Sequence, residues 1–403
     1  MKSIAFVQQA FREHYAKDFS FSESLSMIEK REFGFALFEG WMLRHKSFDT
    51  RGELVSFLGD SAPRDAYFSC AYYEDPQAEM EKKGWSGADL VFDIDADHIP
   101  TSCDKVHDQW TCGTCGFTGK GVVPENCPVC SGQKFDESTW PCEVCLASAK
   151  YETMKLLDML LKDFGFSDKE TRVFFSGHRG YHVHVENEAI KDIDSAARKE
   201  IVDYVYGLGL DLPFQGMEKG MKMLSVNDDA WRGRIAKGIH DFVFKAEAQD
   251  YRDIGLKGNV AEAMVKNRTT ILRNLNASRP WETVRGVGPE TWKKVVEHFI
   301  MSQSASVDTV VTTDTHRLIR LGGTLHGKTG MKKTEFPVSA INDFDPFKSA
   351  IAFKGGKATV LVSDAPKFRL GDQTFGPYKN QKIEVPKAAA VLLICRKRAE
   401  VIE

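Results

Sequence analysis

Seven of the chain's nine cysteines fall between Cys103 and Cys145, and six of them form three Cys-x-x-Cys pairs: Cys112 with Cys115, Cys127 with Cys130, and Cys142 with Cys145. Disulfide frameworks belong to small secreted domains, whereas paired thiols at this spacing in a chain of 403 residues are the pattern of metal-ligating knuckles. With Cys103 and His107 just upstream, the segment offers eight ligands, enough for two tetrahedral sites. The run TCGTCGFTGKGVVPENCPVC separates two knuckles by eleven residues and reads as a self-contained zinc ribbon, which groups Cys112, Cys115, Cys127 and Cys130. Cys103 and His107 then pair with Cys142 and Cys145. A partition by order, first four and last four, satisfies the same chemistry. Four-ligand closure leaves no open coordination position, so the expectation is two structural Zn²⁺ ions. Cys70 and Cys395 stand apart and read as buried hydrophobes.

Thiolates kept for a metal imply a reducing compartment, and the chain is expected to be cytosolic. Its longest apolar run, Ala388 to Cys395, is eight residues, far short of the ~20 that a membrane helix needs, and the start MKSIAFVQQAFREHY has no signal-peptide pattern. At 42% hydrophobic the chain can bury a sizeable core. Lys and Arg number 54 against 57 Asp and Glu, so no global basic excess points to nucleic acid and charge has to be read by segment. There is no internal repeat. Residues 5–30 carry helical periodicity, and FGFALFEGWMLRHKSF alternates like a hairpin turning at Glu39-Gly40. ADLVFDIDAD reads as a buried strand ending in carboxylates. The stretch beginning CEVCLASAKYETMKLL reads as a helix that stops at Gly165, and RVFFSGHRGYHVHV as strand, glycine turn, strand. From about 190 to 300 charged helical segments dominate, among them IDSAARKEIVDYVYGLG and ETWKKVVEHFIMS. GVGPETWKKVV reads as an ordinary helix start. β-like character returns in VDTVVTTDTHRLIRL, AIAFKGG, ATVLVSD and KIEVPKAAAVLLIC. The simplest architecture is an α/β core built from residues 1–190 and 300–403, interrupted by a zinc-binding insertion at 101–146 and a helical subdomain at 190–300.

Three further segments carry chemistry. In LVFDID, Asp93 and Asp95 are two residues apart, so a strand points both carboxylates to one face, where they can bridge Mg²⁺ or Mn²⁺ ions ~3.5–4 Å apart. Taken alone, the pattern is also that of solvated strand-end charges. In SGHRGYHVHV, two glycines let the backbone approach a ligand, and Ser176, Arg179 and His182 offer donors suited to phosphate oxygens; His184, on the same strand face as His182, reads as structural. From Asp308 to Lys333 five Lys plus Arg stand against two Asp. There Arg317 and Arg320 fall at a spacing that can share a helical face, and His326, Gly327 and Lys328 lie in a loop able to contact phosphates. One acidic and two donor-rich segments together describe a metal-nucleotide site.

In that order, and with the cysteine module between the first aspartates and the SGHRG turn, KREFGFALFEGWMLRHKSF, VFDIDAD, SGHRGYHVHV and VDTVVTTDTHRLIRLGGTLHGKTG resemble the motifs of the catalytic small subunit of archaeal and eukaryotic DNA primase. The resemblance covers roughly residues 25–335, and the form with His178 looks archaeal. It implies an α+β (α/β) primase-type catalytic core with an inserted zinc-binding module and a helical subdomain. It further implies that Asp93, Asp95 and Asp308 bind the catalytic Mg²⁺ or Mn²⁺, and that Arg31, Ser176, Arg179, His182, Arg320 and His326 bind the nucleotide. The implied reaction is primer synthesis from NTPs or dNTPs on a single-stranded DNA template, and the implied partner is a large primase subunit in a heterodimer, with no membrane involved.

Two other readings remain open at the level of sequence. A related primase-polymerase of repair or end joining has similar aspartate and glycine-turn elements, although the cysteine insertion and the LHGKTG loop favour the replicative subunit. A non-catalytic, zinc-bearing nucleic-acid-binding subunit has no use for a buried cluster of three aspartates beside phosphate donors.

Overall fold

A computed structural model describes residues 2–20, 25–210, 224–277 and 284–402. The chain divides into two compact units, one of Met1–Thr153, Ser167–Arg198 and Val307–Glu403, the other of Met154–Phe166 and Lys199–Ser306.

The first unit mixes helices with several sheets. One four-stranded sheet runs in the order Thr334–Phe336, Thr171–Phe175, Gly180–Val185, Leu90–Asp95, and another in the order Leu318–Arg320, Asp65–Ser69, Phe33–Ala36, Met42–Lys46. Every strand pair among the described residues is antiparallel, so the α/β composition is arranged as antiparallel sheets and not as parallel βαβ crossovers. The aspartate strand forms because Leu90, Val91, Phe92 and Ile94 are all buried while Asp93 and Asp95 are only half-buried at its end. It pairs with the fully buried strand Gly180–Val185 in a register that sets Gly180 opposite Asp95 and His182 opposite Asp93. That approach demands a glycine: a Cβ on Gly180 would lie 2.2 Å from the Ile94 carbonyl oxygen.

The FGFALFEGWMLRHKSF segment is an antiparallel hairpin of Phe33–Ala36 and Met42–Lys46. The N-terminal helix runs Lys2–Glu13 and continues as a wider turn over His14–Asp18; residues 21–24 of the expected helical stretch lie outside the described residues, and only a single 3-10 turn, Ile28–Lys30, follows. Three of the expected β-like segments fold differently. In VDTVVTTDTHRLIRL only Leu318–Arg320 is a strand, because Asp308 caps a helical turn over Thr309–Thr313 and accepts from the N–H groups of Val310 and Val311. Arg317 therefore precedes a strand that carries Arg320, and the two share no helix. In KIEVPKAAAVLLIC the strand Tyr378–Pro386 gives way to a helix over Lys387–Cys395; it is apolar on all sides because Ala389 through Ile394 are buried. AIAFKGG forms no strand. The strand Tyr378–Pro386 joins Lys357–Ala365 and Ala399–Val401 in a C-terminal sheet. In the cysteine-rich segment, Thr118–Lys120, Gln109–Cys112 and Phe135–Ser138 form a sheet of their own.

Among its described residues the second unit has helices joined by turns and no strand. Ala230–Lys245 packs on Pro289–Gln303, with Gly238 letting Phe299 approach and the Phe242 and Phe299 rings meeting edge to face at 5.5 Å. Pro289 sits in the first turn of its helix, where its missing N–H costs nothing.

Candidate functional site

Strand pairing assembles the acidic end of the site. Asp93 and Asp95 project from one strand, and His182, directly across from Asp93, holds its Nε2 3.5 Å from an Asp93 carboxylate oxygen. Asp308 is brought to the same place by its backbone, whose N–H donates to the Asp93 carbonyl oxygen at 2.8 Å. Its own carboxylate accepts from Val310 N–H at 2.8 Å and Val311 N–H at 3.2 Å, which fixes its orientation.

The electrostatics of this group are unfavourable as it stands. Burial, then the neighbouring charges of Asp95 and Asp308, push the Asp93 carboxyl up to about 7. Burial also raises Asp95, against the pull of Arg179. His182 is buried and held well below its usual range, so it stands as a neutral imidazole whose Nδ1 has no partner. Two carboxylates that resist ionisation, with the Asp308 charge nearby and an unpartnered ring nitrogen beside them, form a donor set that fits a hard divalent cation, which takes oxygen ligands and removes the repulsion.

Donor-bearing loops lie against this end. The Ser176 hydroxyl accepts the N–H groups of His178 at 3.3 Å and Gly180 at 3.2 Å, closing the glycine turn. Gly177, at φ +90°, lets the turn touch the 326–331 loop: a Cβ there would lie 2.9 Å from the His326 Cβ, and Thr329 Oγ1 donates to the Gly177 carbonyl at 2.5 Å. The His178 and His326 rings stand 5.2 Å apart. Arg320 is buried and paired with Asp65 at 2.6 Å, while Asp65 also accepts the Gly327 N–H at 2.8 Å, so one carboxylate sets both the arginine and the loop. Lys333, 1% exposed, donates to the Arg320 carbonyl at 2.8 Å and lies 3.2 Å from His184 Nε2; burial holds its ammonium well below the usual range.

The predicted nucleotide residues are thus not equally placed. Asp93 and Asp95 share a strand, His182 faces Asp93 and the Asp308 backbone is tied to Asp93, while Ser176 and His326 lie on loops beside them and Arg320 ends the strand Leu318–Arg320. Arg179 is buried and engaged by Asp97 and, at 2.7 Å, by Asp108, with only its Nε unpartnered. Arg31 departs from the expectation. It is wholly buried and its donors are spent on Asp89 at 2.7 Å, Tyr72 at 2.7 Å, the carbonyls of Ser26, Ser69 and Cys70, and the Ser26 hydroxyl. No N–H of that guanidinium is left for a phosphate, so Arg31 is a brace of the core. Asp65, Asp108 and Lys333 were not singled out in the sequence. Their one sequence signal is their charge, which becomes informative only once burial is known.

The cysteine module gathers its ligands into two groups, Cys103, His107, Cys142 and Cys145 in one and Cys112, Cys115, Cys127 and Cys130 in the other, each with its ligand atoms within 4.8 Å of one another. The partition by order is not the one adopted. Cys103 and Cys145 sulfurs are 3.6 Å apart, Cys112 and Cys130 3.6 Å, and Cys115 and Cys127 3.7 Å, close to the ~3.8 Å edge of a tetrahedron with 2.3 Å metal–sulfur bonds. The backbone N–H groups of Cys115 and Thr114 bring the Cys112 thiol down to about 6, as a knuckle should. His107 presents Nε2 to Cys103 and Cys145 at 3.5 Å, and its Nδ1–H donates to Asp108 at 2.7 Å. Asp108 also accepts the Trp140 N–H at 2.7 Å and the Arg179 guanidinium, so the carboxylate that orients the imidazole of a candidate metal group also clamps an arginine of the glycine turn.

This chain is similar to known proteins along its whole length. The family model of the DNA primase small subunit matches residues 133–338. The DNA primase small subunit PriS of Methanothrix thermoacetophila is 32% identical, with 99% of both chains covered. That of Methanococcoides burtonii is also 32% identical over 99% of both chains, and that of Nitrosopumilus maritimus is 28% identical over 99% of this chain and 98% of its own.

Proposed function

Because this chain belongs to the DNA primase small-subunit family, and is therefore a primase-type nucleotidyltransferase, we propose that the end of the sheet formed by Asp93, Asp95, Asp308 and His182 is where its primers are made. The observation that carries this reading is the register that sets His182 opposite Asp93 while the Asp308 backbone is tied to the same residue.

In the reaction, a 3′-hydroxyl attacks the α-phosphorus of the next nucleotide; the new P–O bond forms as the bond to the β-phosphate oxygen breaks, and pyrophosphate leaves. Asp93, Asp95 and Asp308 would hold Mg²⁺ or Mn²⁺, whose charge would offset that of the anionic transition state. The chain's own groups position the triphosphate. Neutral His182 offers a hydrogen bond without adding charge beside the carboxylates. Arg320, whose Nη1 is held by Asp65 and the Leu325 carbonyl and whose Nη2 makes only a long contact of 3.5 Å to Tyr67 Oη, keeps that outer edge of its guanidinium for phosphate oxygens, and the His326 loop closes over the tail. Ser176 holds the glycine turn in a shape that lets backbone approach the phosphates.

Zn²⁺ is the ion that the two Cys/His groups suit best, in a structural role. Single-stranded DNA, nucleotides and a large primase subunit are the partners this reading implies. Among the described residues no helix is long and apolar enough to cross a membrane. The test is incorporation of labelled nucleotides on unprimed single-stranded DNA with Mg²⁺ or Mn²⁺, comparing wild type with the double variant Asp93→Ala/Asp95→Ala. Metal-dependent products lost in the variant are the expected result. Products that persist in the variant refute the site, and extension only of a pre-annealed primer favours the repair-polymerase reading.

A further inference from the structure

The helix Lys387–Cys395 ends by delivering Arg396 into the interior of the first unit, a part of the chain that carries no recognisable motif. Arg396 is 4% exposed, its Nη2 donates to the Ser138 hydroxyl at 3.3 Å, and its Nε has no partner. Among the described residues no carboxylate forms an ion pair with it. Asp108, the acid whose charge it feels, is already committed to His107, Trp140 and Arg179. A guanidinium buried without an anion is costly unless an anion arrives.

What surrounds Arg396 says which anion. Three consecutive residues line up three basic side chains: Ser138 accepts from Arg396, Thr139 Oγ1 meets His178 Nε2 at 3.2 Å, and the Trp140 carbonyl accepts from Arg179 at 3.4 Å. His178 in turn faces His326, whose loop carries Lys328. Burial, and after it the charge of Arg396, holds His178 and Arg179 below their ordinary values, and His326 is depressed by burial with Arg320, Lys328 and Arg396 among the further causes. Arg179 and Arg396 meet neighbouring residues of one short run; Arg179 is balanced by Asp97 and Asp108 while Arg396 is not, so the positive charge left to meet an anion is that of Arg396, with Lys328 on the loop that faces His178. A polyanion longer than a single phosphate matches that field.

We propose that Arg396 is a nucleotide-binding residue that contacts the phosphate tail of the incoming nucleoside triphosphate beyond its α-phosphate. The proposal rests on the primer-synthesis reading above and adds to it a residue from the C-terminal segment, with a specific consequence: Arg396 distinguishes triphosphate from monophosphate.

The experiment titrates ATP, ADP and AMP, each with Mn²⁺, into the full-length, zinc-loaded protein by calorimetry, for wild type, Arg396→Gln and Arg396→Lys, with zinc content and melting temperature measured on each. A lost charge-assisted contact corresponds to about 10- to 100-fold in affinity. Arg396→Gln should therefore bind ATP about 10- to 100-fold more weakly while AMP changes less than about twofold, and in primer synthesis the loss should appear in KM more than in kcat. If Arg396→Gln loses zinc or unfolds, Arg396→Lys decides, since it keeps the charge but not the fork: several-fold weaker ATP binding at unchanged zinc content supports the proposal, and wild-type affinity for all three nucleotides overturns it. Equal weakening of ATP and AMP, or weaker single-stranded DNA binding with ATP unaffected, also overturns it. Wild-type protein that binds no nucleotide would refute the site reading itself, and the proposal with it; wild-type binding with an indifferent Arg396→Gln refutes the proposal alone.

Discussion

The backbone N–H of Asp308 donates to the carbonyl oxygen of Asp93 at 2.8 Å, so the third carboxylate is held to the first by main chain and not by its side chain. The side chain of Asp308 is occupied as a helix cap, accepting from Val310 and Val311. Charge and cap can therefore be separated by mutation. Asp308→Asn keeps an acceptor for the cap and loses the charge, whereas Asp308→Ala loses both, at a cost of about 1 kcal/mol. We expect both variants to lower nucleotide incorporation by about 10²-fold or more, with a melting temperature reduced only in Asp308→Ala. Wild-type synthesis by Asp308→Asn would remove Asp308 from the site.

If the proposed site holds a cation, the raised Asp93 carboxyl should make its binding depend on pH. Its ordinary value near 3.8 rises to about 7 through burial and the charges of Asp95 and Asp308, so the native protein binds a proton here that the unfolded chain has already lost. The sign follows: in the metal-free protein this group costs stability progressively as pH rises from about 4 to 7. A cation competes with that proton, so Mn²⁺ affinity should climb with pH and level off above about 7. Melting curves from pH 5 to 8, with and without Mn²⁺, check both halves. In Asp93→Asn the metal-free pH dependence should flatten; an unchanged slope would assign it to another group.

Asp65 serves as the hinge between Arg320 and the His326 loop, since one of its oxygens meets both Arg320 and the Gly327 N–H. Both members of the ion pair are buried, and the charges of Arg320 and Arg64 with the Gly327 N–H hold the Asp65 carboxyl below its usual value despite burial. Removing one partner leaves the other charge buried and unpaired, so Asp65→Ala should cost about 3–5 kcal/mol in a denaturant titration. Asp65→Asn keeps an acceptor for Gly327 and should fold better, yet with Arg320 freed it should raise the KM for nucleotide more than it lowers kcat. An Asp65→Asn enzyme with wild-type KM would show that Arg320 does not depend on Asp65 for its position.

The parts of the fold legible in the sequence were those governed by local chemistry. The aspartate strand, the glycine turn and the hairpin around Glu39-Gly40 announce themselves through apolar runs and glycines, and the cysteine spacing announced its module. The misread segments are those where one residue overrides a propensity. Asp308 turns a β-branched run into a capped helical turn, and Pro386 opens a helix from an apolar stretch that scans as strand. For the site, residue type alone did not separate an arginine that can reach a ligand from one that braces the core. Arg31, in the charged run Glu29-Lys30-Arg31-Glu32, and Arg320, in the apolar run Leu318–Leu321, carry the same charge, and the partners delivered by distant strands distinguish them. Asp65 lies in no motif, and Asp108 and Lys333 sit inside segments read for other residues, so their roles follow from burial that a single sequence does not display.

The two Cys/His groups differ in exposure and in what they hold, so their metals should not be equivalent. Cys112 and Cys127 are buried but their partners Cys115 and Cys130 are exposed, while the other group has no exposed ligand and its His107 is oriented by Asp108, which also clamps Arg179. A chelator should therefore extract metal in two phases, first from the Cys112, Cys115, Cys127 and Cys130 group with synthesis largely retained, then from the other group with synthesis lost. Asp108→Asn should weaken metal binding in that second-extracted group alone, by about 10- to 100-fold, and lower incorporation because Arg179 loses a partner at the glycine turn. Cys115→Ser should release the more labile metal and leave incorporation close to wild type. Metal content measured by mass spectrometry beside the incorporation assay follows both phases. Asp108→Asn protein that holds both metals through chelation and synthesises primers at the wild-type rate would break the proposed link between the metal module and the glycine turn.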